Sequence, residues 1–165
     1  MYSVLFVCLG NICRSPTAEG VFKSLVTDAG LSNQVFVDSA GTSAHHVNEA
    51  PDPRSQQEAK RHGYDLSRIR SRKVTPNDYE KFDLIIAMDE SNLNNLKSFK
   101  SNAYDSKLKL FLKDFAPLLN IHDVPDPYYG GAKGFTKVVE LVEHASEGLL
   151  ELIKAEIKSK SQKYI

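Results

Sequence analysis

The sequence predicts an open α/β domain built on a mainly parallel sheet. Short apolar runs alternate with stretches of helical periodicity, the order that right-handed crossovers turn into parallel strands. The runs are apolar nearly throughout, as in strands buried on both faces. A chain of 165 residues, 41% hydrophobic and 25% charged, suits one such domain. It is expected over residues 1–158, with a frayed Lys-rich tail at 159–165.

Ser3-Val-Leu-Phe-Val7 reads as the first strand. A helix follows, with apolar residues at 18, 21, 22, 25, 26 and 29 on one face. Ser15 is expected as its N-cap and Pro16 as its first residue, where a missing N–H costs nothing. Gly30 is expected as its C-cap. Residues 34–40 read as a second strand stopped by Gly41, and residues 42–53 as a loop carrying two prolines and His45-His46. Asp52-Pro53 opens a short helix that Gly63 closes. The basic run Ser67–Val74 is either a solvated surface or a patch that attracts acidic partners. Phe82–Met88 is a third strand, and a helix begins near Asp89 or Ser91. Leu108–Leu112 is a fourth strand. Residues 117–134 are irregular, as long functional segments in small domains tend to be. From Phe135 to Ile157 the apolar positions mark a long amphipathic helix, with fraying expected from Lys158.

Balanced charge, formally zero, argues against a bulk nucleic-acid or membrane binder. No apolar run approaches a membrane span, and no basic region precedes the first apolar segment, so the chain reads as cytoplasmic. Two cysteines five residues apart suit neither a disulfide-stapled domain nor a zinc site. His45 and His46 have no accompanying pattern of metal ligands, which leaves a surface loop as the plainer reading.

The stretch Cys8-Leu-Gly-Asn-Ile-Cys-Arg-Ser15 joins the first strand to the first helix. Backbone N–H groups of a tight loop, with a helix N-terminus, make a concave anion site. Gly10 is expected to let the backbone curl, and Asn11 tolerates a left-handed conformation. Arg14 offers a planar fork for two phosphate oxygens. A thiol at the bottom of such a cradle faces several positive ends, which favour its nucleophilic thiolate. The nucleotide-binding pattern Gly-x4-Gly-Lys-Ser/Thr is absent.

Cys-Leu-Gly-Asn-Ile-Cys-Arg-Ser-Pro resembles the signature loop of the low-molecular-weight protein tyrosine phosphatases. Asp126-Pro-Tyr-Tyr129 resembles that family's general-acid loop, and Met88-Asp-Glu-Ser-Asn92 also matches it. The resemblance implies a three-layer, four-stranded parallel flavodoxin-like sheet with helices on both faces. It implies hydrolysis of phosphotyrosine, or aryl phosphate, monoesters through a phosphocysteine on Cys8. Asp126 would act as general acid and then base, and no metal or cofactor is needed. Leu9, Gly10, Asn11, Ile12, Cys13, Arg14 and Ser15 would bind phosphate. Ser15 would donate to the Cys8 sulfur, and Asn11 with Ser39 would brace the loop. Leu9, Ile12, His45, Tyr128 and Tyr129 would wall the substrate cleft. Asp89 would either orient Arg14 or cap its own helix, and Asp123 lacks the acid loop's context. Ile69 stands where many relatives carry a loop-bracing histidine. Cys13 would either form a reversible disulfide with Cys8 or simply pack. The implied partners are phosphotyrosine-containing proteins, with inorganic phosphate as product and competitive ligand, and a monomer is expected.

Two other readings stand beside this one. A thiol-dependent arsenate reductase shares the Cys-x5-Arg loop but relays oxidation through further cysteines that this chain lacks. A catalytically silent phosphotyrosine-binding module would need neither Cys8 nor Asp126.

Overall fold

Four parallel strands form one sheet in the order β2-β1-β3-β4, in a computed structural model that describes residues 1–99, 101–128 and 130–164. They are β1 (Tyr2–Cys8), β2 (Val35–Gly41), β3 (Leu84–Ala87) and β4 (Leu108–Leu110). β1 is buried along its whole length, which is why its sequence is apolar without alternation. Its even-numbered side chains, Val4 and Phe6 among them, pack with α1 (Arg14–Asp28), α5 (Phe111–Phe115) and α6 (Ala132–Gln162). Leu5 and Val7 point the other way, onto Tyr79 of α3 (Pro76–Lys81) and Leu96 of α4 (Glu90–Phe99). Helices therefore cover both faces. α2 (Pro53–Arg61) lies beside α1 and α6.

Because β2 and β3 flank β1 on opposite sides, the chain reverses its direction of winding at β1. The crevice at that switch point, beyond the carboxyl ends of the strands, is where such sheets take ligands. Cys8 ends β1, and Met88 and Asp89 follow β3.

Several local expectations need correction. α1 starts at Arg14, not Pro16, and Cys13 takes the N-cap position. Ser15 lies inside the helix because its hydroxyl faces Cys8 and Asn11 rather than capping. β4 stops at Leu110, since Asp114 accepts from the Leu110 N–H and turns the next residues into α5. α3, in a segment for which the sequence suggested no element, starts where Thr75 and Asp78 form a capping box around Pro76. α6 begins at Ala132 and continues past Lys158 to Gln162. Near that end Lys160 Nζ lies 5.6 Å from the Tyr2 ring centroid.

Candidate active site

The loop between β1 and α1 closes around the Cys8 sulfur. Asn11 N–H donates to Cys8 Sγ at 3.3 Å, and Ser15 Oγ lies 3.0 Å from the same sulfur. Asn11 is the residue in left-handed conformation, with φ of +56°. Its buried amide side chain explains how that conformation is kept. Nδ2 donates to Ser15 Oγ at 2.8 Å and to Ser39 Oγ at 3.0 Å, while Oδ1 accepts from Arg72 N–H at 3.1 Å. Ser39 in turn donates to the buried Glu19 carboxylate at 2.6 Å. With Asn11 donating to it, the Ser39 hydroxyl must send its own proton to Glu19, so this chain has one direction only.

Gly10 is not needed for a left-handed turn. A Cβ there would instead meet His46 Cδ2 at 3.0 Å, so the glycine makes room for that ring. The close approach falls at Gly41, where a Cβ would stand 2.7 Å from the Leu9 carbonyl oxygen. Thr42 and Ser43 N–H groups then donate to the Cys8 and Leu9 carbonyls, both at 3.0 Å. Ser71 Oγ donates to the Gly10 carbonyl at 3.2 Å. Ser71 and Arg72 thus supply the bracing hydrogen bonds from the segment that contains Ile69.

Arg14 is buried, 3% exposed, at the start of α1. Its Nη1 donates to Asp89 Oδ2 at 2.5 Å and to the Val124 carbonyl at 3.0 Å. Its Nη2 lies 3.5 Å from Asp126 Oδ2. Burial alone would weaken its hold on the proton, but Cys8, Asp89 and Asp126 outweigh that and raise its pKa. Asp89 does both things considered for it, since Oδ1 accepts from Asn92 N–H at 2.7 Å within the first turn of α4. Asp123 Oδ1 accepts from Glu90 N–H at 3.0 Å, which makes it a cap for α4. The Val124 N–H bonds the Met88 carbonyl at 2.8 Å and fixes the root of the loop that carries Asp126.

A cleft of about 250 Å³ opens over the sulfur. Cys8, Leu9, Gly10, Ile12, Cys13, Arg14, Ser43, His45, His46, Asp126 and Tyr128 line it. Tyr129, the other expected wall, lies outside the described residues. Asn11, Ser15 and Ser39 are buried behind the cleft rather than in it. His46, expected on a surface loop, stands at the cleft: its Nδ1 lies 2.7 Å from Glu49 Oε2, and its ring centroid is 6.5 Å from that of Tyr128. Among the described residues no three His, Cys, Asp or Glu side chains cluster to hold a metal ion. Glu19 and Arg54, both near this site, carry no motif that would have drawn attention to them.

The family model for low molecular weight phosphotyrosine protein phosphatase matches residues 3–162. A low molecular weight protein-tyrosine-phosphatase of Streptomyces coelicolor is 40% identical over 162 residues, covering 97% of this chain and 98% of its own. The corresponding phosphatase of Gallus gallus is 44% identical over 155 residues, covering 90% and 94%. In three dimensions the chain is similar to a protein tyrosine phosphatase of Entamoeba histolytica crystallised with Hepes in its active site. That match has a TM-score of 0.89 at 39% identity, over 94% of this chain and 99% of that one. A Vibrio vulnificus protein solved with benzylphosphonate aligns at a TM-score of 0.79 and 27% identity, over 91% and 97%. The chain belongs to the low molecular weight phosphotyrosine protein phosphatase family. It is an enzyme of the protein-tyrosine-phosphatase class.

Proposed function

We propose that the protein hydrolyses phosphotyrosine and related aryl phosphate monoesters through a phosphocysteine on Cys8. The observation that carries this reading is the sulfur at the bottom of the cleft, facing Asn11 N–H and Ser15 Oγ, with Arg14 and Asp126 above it. Cys8 Sγ attacks phosphorus and the ester P–O bond breaks. The electron pair leaves with the phenolic oxygen, which takes a proton from the Asp126 carboxyl. Arg14 and the loop amides hold the three equatorial oxygens as their charge redistributes. Asp126, now ionised, removes a proton from water, which attacks phosphocysteine and returns the thiolate and inorganic phosphate. Ser15 Oγ at 3.0 Å stabilises the sulfur as leaving group.

Selectivity for aryl esters follows from depth, because Ile12 and Cys13 lie low in the cleft and Tyr128 stands at its side. A phosphoserine is too short to bring its phosphorus to the sulfur. The benzylphosphonate complex of the Vibrio vulnificus relative supports an aromatic ligand here. Phosphotyrosine-containing proteins are the proposed substrates, met as a monomer in the cytoplasm; no helix among the described residues is long and apolar enough to cross a membrane. Turnover of p-nitrophenyl phosphate under reducing conditions, lost in Cys8→Ser while phosphate still binds, is the expected result. No turnover by the wild-type protein would overturn the proposal in favour of a phosphotyrosine-binding module.

A further inference from the structure

Arg54 stands outside the cleft lining yet joins its two sides. Asp52 N–H donates to the Ile12 carbonyl at 2.8 Å, tying the start of α2 to the phosphate loop. The Asp52 carboxylate caps α2 through Arg54 N–H at 2.8 Å and grips the guanidinium with both oxygens. Nε lies 3.1 Å from Oδ1 and Nη2 lies 2.8 Å from Oδ2. The guanidinium carbon is 4.6 Å from the Phe135 ring centroid and 5.5 Å from that of Tyr128. Nη2 also reaches the Tyr128 carbonyl at 3.4 Å. Tyr128 N–H, finally, donates to Asp126 Oδ1 at 3.0 Å. A continuous strut therefore runs from Ile12 through Asp52, Arg54 and Tyr128 to Asp126.

The loop bearing Asp126 needs such a strut. Its root is fixed at Val124 and Arg14 meets its acid only at 3.5 Å, while the Asp126 side chain is 40% exposed. Pro125 and Pro127 donate no backbone hydrogen bonds that would hold the segment. An arginine paired through two contacts to one carboxylate keeps its plane, which a lysine cannot do. That fixed plane serves both rings. The Asp52 carboxyl is held below its ordinary pKa, chiefly by the hydrogen bonds from Arg54, so the pair stays charged at neutral pH.

We propose that Arg54 is a positioning residue for the general acid: by holding Tyr128 it sets where the Asp126 carboxyl stands relative to the leaving oxygen of a substrate seated on Cys8. This rests on the assignment of Asp126 as the acid. Small misplacements of a catalytic group lower rates by as much as about 10²-fold. The loss falls on substrates that need the proton. An ester of a weakly acidic phenol depends on protonation at departure, whereas p-nitrophenolate leaves almost unaided.

The experiment compares kcat/KM of wild type, Arg54→Ala and Arg54→Lys on phenyl phosphate and p-nitrophenyl phosphate, with Asp126→Ala alongside. This ratio reports the steps through release of the phenol. Arg54→Ala should lose roughly 10- to 10²-fold on phenyl phosphate and only about threefold on p-nitrophenyl phosphate. Arg54→Lys, which keeps a cation near the rings but not the fork, should fall between. Inhibition by inorganic phosphate and the rate of Cys8 alkylation by iodoacetate should stay at wild-type values, since the phosphate loop is untouched. Equal losses on both esters, or weakened phosphate binding in parallel, would overturn the proposal by making Arg54 a support of the phosphate loop. If Asp126→Ala discriminates between the esters and Arg54→Ala does not, the acid stands and the role of Arg54 is overturned. If neither discriminates, the acid assignment itself falls and takes this role with it.

Discussion

Arg14 Nη2 lies 3.5 Å from Asp126 Oδ2, so the cation proposed to receive the phosphoryl group touches the carboxylate proposed as the acid. A phosphate dianion entering the loop must share Arg14 with that carboxylate. Asp126→Asn removes the negative charge with little change in shape. Inorganic phosphate should then inhibit about fivefold more strongly at pH 7, for about 1 kcal/mol of relieved, solvent-screened repulsion. The same variant should lose roughly 10²–10⁴-fold in kcat/KM on phenyl phosphate. An unchanged inhibition constant would mean that this contact carries no electrostatic weight.

Arg14 uses its two amino groups for different partners: Nη1 for Asp89 and the Val124 carbonyl, Nη2 toward Asp126. A lysine brings one ammonium and cannot serve both sides. Arg14→Lys should lower kcat by roughly 10²-fold or more, the usual loss for a missing transition-state donor. Phosphate affinity should fall as well. Near-normal kinetics in this variant would reduce the role of Arg14 to charge alone.

Asn11 combines a left-handed backbone with three side-chain hydrogen bonds, two of them buried. Asn11→Ala keeps the strained φ and leaves Arg72 N–H without its acceptor, so about 3 kcal/mol of stability should be lost. Asn11→Gly removes the strain but not the hydrogen-bond loss, and should recover about 1 kcal/mol of it. Urea unfolding of the three proteins measures both steps. Identical losses for Ala and Gly would show that the backbone conformation costs nothing here.

The sheet and the phosphate loop were readable because burial on both faces writes apolar runs and because a thiol, a tolerant Asn and an Arg fall at fixed spacing after one of them. What escaped was set by partners distant in sequence. Ser15 looks like an N-cap until its hydroxyl is seen against Cys8 and Asn11. Leu108–Leu112 looks like one strand until Asp114 folds back on Leu110. Glu19 sits on the first helix between Ala18 and Gly20 with no motif around it, and only the position of Ser39, 20 residues on, reveals it as the end of the hydrogen-bond chain. Arg54 reads as a surface charge because Asp52 is its one local partner, and the rings of Tyr128 and Phe135 arrive through the fold. The capping box at Thr75 and Asp78 was a local signal, hidden by the basic run before it.

Cys13 differs from Cys8 in what surrounds it. It packs with Ile12 and Phe135, and burial pushes its thiol up to about 12, against a partial lowering by Ser55. At pH 7 iodoacetate should therefore label Cys8 and leave Cys13 intact. The shift also has a consequence for stability. An unfolded chain releases this proton near its ordinary value of 9.0, while the folded protein keeps it until about 12. Above pH 9 the folded state binds more protons than the unfolded one, so stability is complete below that pH and falls as pH rises. Tyr2 and Tyr79 are also raised to about 12 by burial, but from 10.0, so they add to the loss only from about one pH unit higher. Tyr64 is raised in the same way, and because all three tyrosines titrate alike in wild type and Cys13→Ser, the comparison of the two proteins isolates the thiol. Cys13→Ser lacks this buried thiol and keeps only Cys8, so its stability should decline less steeply from pH 8.5 to 10, the difference reaching at most about 1.4 kcal/mol per pH unit. Urea unfolding of both proteins across that interval, under reducing conditions, measures the difference. Parallel profiles would mean that Cys13 titrates alike folded and unfolded, and that its burial places no lasting constraint on the thiol.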